Sequence, residues 1–134
     1  MVERHERPAA AHARAILVVD DDADVRRCIC RLLERANHVV HAASDGVEAL
    51  VRHAEVGTDL ALVLLDLSMP RMDGVATLRE LRKRGAIMPV LICSSAVTPA
   101  QKSELDQLGV AGYLSKPFPL GELLGAINLV LTVR

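Results

Sequence analysis

Leu60-Ala61-Leu62-Val63-Leu64-Leu65-Asp66 decides the fold: six apolar residues in a row, closed by a single carboxylate. The run is far shorter than the roughly 18 to 20 apolar residues a membrane span needs. Its length is that of a strand, and without apolar–polar alternation it reads as a strand buried on both faces. Such strands belong to parallel sheets covered by helices on both sides.

Working outward, the same grammar recurs. Ile16-Leu17-Val18-Val19 is a second buried strand, and it ends in Asp20-Asp21-Asp22. Shorter strands are expected at His38–Ala42, Pro89–Cys93 and Ala111–Leu114. Helical patterns separate them. Val25, Cys28, Ile29, Leu32 and Leu33 recur at helical spacing after a cap at Asp22 or a neighbour. Ser44 is expected to cap the second helix through the Val47 N–H, with Val47, Leu50, Val51 and Ala54 inward and Gly57 as the stop. Asp73 opens the third, with Val75, Leu78 and Leu81 inward and Gly85 at its end. Thr98 and Pro99 open the fourth as N-cap and N1, Gly109 ends it, and Leu120–Leu131 forms the last. Strand and helix in alternation predict a doubly wound α/β fold of the (βα)5 kind.

The 134 residues suit one domain, placed at 15–134 after a flexible tail at 1–14 that carries His5 and His12. The last helix ends with the chain, so no output domain is expected. Apolar residues make up 51% and the net charge is -1, which gives no electrostatic reason for a nucleic acid or membrane partner. Tyr113 and Phe118 are the only aromatics, so there is no platform for stacking on bases. The odd cysteine count, Cys28, Cys30 and Cys93, argues against a secreted disulfide framework and for small buried hydrophobes in a reducing compartment, with a redox thiol at Cys28 as the alternative. The opening residues contain no apolar core of a signal peptide, and a cytoplasmic location follows by elimination.

Polar residues gather where the strands end. Asp20-Asp21-Asp22 follow the first strand, Asp66 the third, Ser94-Ser95 the fourth and Ser115-Lys116-Pro117 the fifth. In a parallel sheet all of these lie at one edge, where ligands of open α/β sheets bind. Clustered carboxylates repel one another, and a divalent cation relieves this; Mg2+ prefers hard oxygen donors. A carboxylate can also attack phosphorus to form an aspartyl phosphate. That transfer needs positioning and charge neutralisation, which a metal ion, a lysine and a hydroxyl would supply.

The stretches Leu17–Asp22, Leu65–Gly74 and Gly112–Phe118 resemble the receiver domains of two-component response regulators, a likeness covering about residues 14–133. The resemblance implies a flavodoxin-like sheet of order 2-1-3-4-5. It implies Asp66 as phosphoacceptor and Mg2+ held by Asp20, Asp21, Asp66 and the backbone carbonyl of Ser68. It further implies that Ser94 and Lys116 bind the phosphoryl oxygens and that Tyr113 is an aromatic switch turning inward as Ser94 moves. Pro117 matches a residue often reached through a cis bond. Asp73-Gly74, Met69 and Met72 are read as structural. The implied partners are a histidine kinase or histidine phosphotransfer protein upstream, and a protein target at the face of the fourth helix, fifth strand and fifth helix.

A monomer or weak dimer is expected. DNA-binding relatives dimerise through acid–base pairs on that face, commonly with an acid where Gly112 stands and an arginine in the last helix; this chain has neither before Arg134. A phosphatase-like enzyme would need an acid–base aspartate two residues after Asp66, where Ser68 stands, so turnover is not expected. A phosphorylation-independent binding module has no need for Asp20, Asp21, Asp66, Ser94 and Lys116 together.

Ser94 replaces a more frequent threonine, and Ser95 a common alanine. Ser68 and Ala96 occupy the two positions that in this family flank the phosphoryl group and tune its hydrolysis; both are small and uncharged, with no group to orient the attacking water. A phosphoryl lifetime set by the bare site is expected. Decay followed in a Ser68→Asn, Ala96→Glu double variant tests this, and unchanged decay refutes it.

Overall fold

The computed structural model describes residues 15–132. The tail expected at 1–14, with His5 and His12, and Arg134 lie outside the described residues. Five strands, β1 (Ala15–Val19), β2 (Val39–Ala43), β3 (Leu60–Leu65), β4 (Val90–Ser94) and β5 (Gly112–Ser115), alternate with five helices. These are α1 (Ala23–Arg35), α2 (Gly46–Val56), α3 (Gly74–Lys83), α4 (Pro99–Gln107) and α5 (Leu120–Thr132). Every strand pairing is parallel, and the order is β2-β1-β3-β4-β5, the flavodoxin-like order.

The unbroken apolar runs follow from this layering. Ile16 and Val18 of β1, with Leu62 and Leu64 of β3, point into a core closed by Ile29 and Leu33 of α1 and Leu123 and Ile127 of α5. Leu17, Val19, Val63 and Leu65 point the other way, toward Ala49 and Leu50 of α2, Leu78 and Leu81 of α3 and Leu105 of α4. Successive strand residues alternate between faces, and both faces are covered, so β1 and β3 are apolar throughout. Each fully buried Leu or Ile contributes about 1.5 to 3 kcal/mol.

The helix starts at Asp22, Asp73 and Thr98 are as read from the sequence. Asp22 accepts the N–H groups of Asp24 and Val25. Asp73 accepts that of Ala76. Thr98 and Gln101 exchange side-chain-to-backbone bonds in a reciprocal capping box. Three strands begin and end one residue later than expected: β2, β4 and β5 take in Ala43, Ser94 and Ser115, because ladder bonding continues through the first residue after the apolar run.

At α2 the structure corrects the sequence reading. The cap is Asp45, not Ser44: Asp45 Oδ1 accepts the Glu48 N–H at 2.9 Å, while the N–H and hydroxyl of Ser44 both donate to Glu48 Oε1. The inward face lies one residue earlier than expected, because Gly46 is pressed against Met72 and Thr77: Gly46, Ala49 and Leu50 face inward and Val47 and Val51 are exposed. Ala54 is exposed as well. Cysteine placement also departs from the expectation of three buried hydrophobes: Cys93 is buried, Cys30 half-buried and Cys28 exposed. Among the described residues no helix is long and apolar enough to cross a membrane.

Asp45 is more than a cap. Its Oδ2 accepts the Arg71 guanidinium, with Nε at 2.9 Å, tying α2 to the loop that follows β3. The Glu48 N–H, and then Arg71, hold the Asp45 carboxyl below the usual carboxylate range. A folded value below the unfolded one stabilises the fold above the unfolded value of about 3.9, and this contribution fades as pH falls through the folded value. Asp45→Ala should lower the unfolding free energy by about 1 to 2 kcal/mol at neutral pH. The gap to the wild-type chain should close in acid, and urea denaturation at both pH values measures it.

Candidate functional site

Three backbone bonds place the site. The Asp20 N–H donates to Ala43 O at 3.1 Å, the Asp66 N–H to Val19 O at 3.0 Å, and the Lys116 N–H to Ser94 O at 2.9 Å. The parallel ladder therefore runs one rung past the apolar residues, and the first polar residue after β1 and β3 is held by the sheet itself. Gly74 closes the loop after β3: its N–H donates to Leu67 O at 2.9 Å, and a Cβ there would lie 2.3 Å from Asp66 O. Only glycine lets α3 start this close to Asp66.

Asp20, Asp66 and Ser94 are buried, whereas Asp21 and Ser68 are exposed at the rim. Lys116 Nζ lies 2.6 Å from Asp20 Oδ2 and 3.7 Å from Asp66 Oδ2. The first is a charge-assisted hydrogen bond and the second a longer-range attraction. Asp20 is further held by the Asp22 N–H on Oδ1 at 3.0 Å, and Arg26 Nη1 donates to its main-chain oxygen at 2.7 Å. Asp66 is held more loosely, by a stretched 3.4 Å bond from the Ser68 N–H to Oδ1. Of the two buried carboxylates, Asp66 thus has the lone pairs freer for reaction.

Burial pushes the Asp66 carboxyl up; the Lys116 charge pulls against it, while Asp20 and Asp21 add to the rise. Burial pulls Lys116 down, but the bond and charge of Asp20, with the charge of Asp66, leave its ammonium raised. Cys93, buried close to these charges, is pushed to about 12 by burial, so it is an inert thiol rather than a nucleophile. One carboxylate oxygen from each of Asp20, Asp21 and Asp66 falls within 4.8 Å of the others. Three carboxylates against one ammonium leave an excess of negative charge on hard oxygen donors, which fits a divalent cation such as Mg2+.

The structure thus brings Asp20, Asp21, Asp66 and Lys116 together, and the Lys116–Pro117 peptide is cis. The two hydroxyls are bonded to other partners. Ser94 Oγ donates to Ala96 O at 3.0 Å, and the Tyr113 hydroxyl donates to Asp106 Oδ1 at 2.6 Å. Three supporting residues escaped the sequence reading. Arg26 and Arg71 reach partners that no local spacing reveals. Asp106 did leave a signal, because it stands four residues after Lys102 on a helix.

Lys116 is the main influence holding the Asp66 carboxyl down. Lys116→Met should raise the Asp66 carboxyl further, so that it protonates at higher pH than in the wild-type chain. A carbon-13 NMR titration of the aspartate carboxyls reads this, and an unmoved Asp66 would refute it.

Residues 16–128 match the response regulator receiver domain family. Response regulator MprA of Mycobacterium sp. (strain KMS) is 40% identical over 116 residues, 87% of this chain and 50% of that protein. MprA of Mycobacterium ulcerans (strain Agy99) is 41% identical over 116 residues, 87% of this chain and 49% of that protein. The chain spans about half the length of the curated relatives it matches. Among solved structures, chemotaxis protein CheY4 of Vibrio cholerae has a TM-score of 0.81 at 29% identity, covering 87% of this chain and 98% of that one. A response regulator receiver domain protein from Clostridium thermocellum has a TM-score of 0.81 at 30% identity, covering 89% of this chain and 94% of that one. A match that begins in β1 and ends within α5 takes in every element of the fold, and the chain belongs to the family of response regulator receiver domains.

Proposed function

We propose that this receiver domain accepts a phosphoryl group on Asp66 from a histidine kinase or histidine phosphotransfer protein. It then signals by phosphorylation-dependent docking or by handing the phosphoryl group on. The observation that carries this reading is a buried, loosely held Asp66 beside a charged Lys116, within a cluster of carboxylates.

Each residue has a task in this reading. Asp20, Asp21, Asp66 and the backbone carbonyl of Ser68 would hold Mg2+. When bound, that ion neutralises charge on the transferring phosphoryl oxygens. A carboxylate oxygen of Asp66 forms the new bond to phosphorus as the bond to the donor's imidazole nitrogen breaks. The Lys116 ammonium, anchored on Asp20 and 3.7 Å from Asp66 Oδ2, would pair with the charge of the incoming phosphoryl group. Ser94 exchanges the Ala96 carbonyl for a phosphoryl oxygen, and Tyr113 follows it inward.

No residue orients a hydrolytic water, because Ser68 and Ala96 are short and uncharged. The domain is therefore a phosphoacceptor with slow dephosphorylation and not a turnover enzyme. An apolar groove of about 560 Å3, with Val25, Ile29, Phe118 and Leu120 in its wall, opens beside Lys116 and suits the apolar flank of a donor protein. The downstream target meets the face of α4, β5 and α5, and the setting is cytoplasmic.

Intact-mass measurement after incubation with acetyl phosphate tests the assignment. The wild-type chain should gain one phosphoryl mass with Mg2+ and none without it, and Asp66→Ala should gain none. A wild-type chain that stays unmodified and takes no beryllofluoride would favour a phosphorylation-independent interaction module instead.

A further inference from the structure

Among the five helices, α4 leans least on the apolar core. Leu105 is its one buried residue, whereas α1 buries Ile29 and Leu33, and α5 buries Leu123 and Ile127. Polar tethers supply what packing does not. From α3, Arg79 reaches Glu104 at 2.7 Å, and Arg82 donates to the carbonyls of Leu108 at 2.8 Å and Gly109 at 3.3 Å. From β5, the Tyr113 hydroxyl donates to Asp106 Oδ1. Lys102 completes this last tether, with Nζ 2.9 Å from Asp106 Oδ2 and 5.3 Å from the centre of the Tyr113 ring.

Tyr113 is also placed to feel the site. It pairs with Ile92 across the β4–β5 register, and Ser94 follows Ile92 by two residues, so Ser94 and Tyr113 share one face of the sheet. In this structure both hydroxyls are engaged away from Asp66, on Ala96 and on Asp106.

We propose that Asp106, supported by Lys102, is a positioning residue that latches Tyr113 to α4 and so sets how readily the loaded state of the site is reached. The proposal rests on the phosphoacceptor reading above. Before Tyr113 leaves α4, a charge-assisted bond from its phenol to a carboxylate breaks, and its ring gives up the Lys102 ammonium. Every such restraint lowers the population of the competent arrangement. The apparent affinity for whatever loads Asp66 falls by the same factor.

The chain contains one tyrosine and no tryptophan, so ultraviolet titration of the phenol reports Tyr113 alone. Burial first, and then the Asp106 carboxylate, push that phenol to about 12. Asp106→Ala should bring it down. With Mg2+ and beryllofluoride as the probe, Asp106→Ala should bind about fivefold more tightly than wild type, the scale of one exposed charge-assisted hydrogen bond. Tyr113→Phe lacks the hydroxyl and should show a similar gain, and the double variant should gain no more than either single one. Unchanged or weaker binding by Asp106→Ala, or gains that add in the double variant, would overturn the latch. If the wild-type chain binds no beryllofluoride, the phosphoacceptor reading falls and the latch falls with it. If it binds and the phenol titration is unmoved by Asp106→Ala, the latch alone is overturned.

Discussion

The bond from the Asp66 N–H to Val19 O is the constraint on which the rest of the site depends. It is a ladder bond like those below it, but it lies one rung beyond the apolar residues, where the side chain has changed from Leu to Asp. Main-chain pairing thus carries a carboxylate to the edge of the sheet with the precision of the core beneath it. The equivalent bond from Asp20 to Ala43 sets the neighbouring acid. The two buried acids of the site need no loop to place them; they need only that the strands keep their register, which apolar residues on both faces enforce.

Charge balance then decides what the edge can do. A buried carboxylate alone is costly. Asp20 is satisfied by Lys116 and by the Asp22 N–H, and its own carbonyl is covered by Arg26. Asp66 has one stretched bond and a lysine at 3.7 Å. The inequality has a purpose that chemistry makes plain: a fully satisfied carboxylate is a poor nucleophile and a poor ligand. Lys116 leans on Asp20 yet remains within the field of Asp66, so its charge is felt at Asp66 without neutralising it.

Fold and site differ in how far they are legible in the sequence. The strands, the alternation and the sheet edge could be read because they rest on runs of one residue class: Leu60–Leu65 admits one environment, and Asp66 after it admits one location. The caps at Asp22, Asp73 and Thr98 were legible because capping is local. The cap of α2 was not, because Ser44 and Asp45 both offer a capping oxygen. The choice falls to Asp45, whose second oxygen bonds Arg71, a residue 26 positions away. The inward face of α2 was missed because a glycine gives no apolar signal: Gly46 packs against Met72 and Thr77, which leaves Val47 and Val51 in solvent. Ser94 rests on a carbonyl two residues on and Tyr113 on a carboxylate of α4, and composition and spacing do not rank these acceptors above others within reach.

The Asp66 edge and α4 are therefore held by different physics. At the Asp66 edge, main-chain bonds and a glycine pressed against Asp66 O leave little freedom. At α4, one leucine and a set of exposed or half-exposed side-chain bonds hold the helix. Bonds of that kind are individually weak and are exchanged for water at little net cost. A rigid edge beside a helix held mainly by side-chain bonds leaves α4 as the element that yields with the least loss of packing. In the proposed switch, that ordering of stiffness would make the α4–β5 face the place where a change of charge at Asp66 becomes a change of shape.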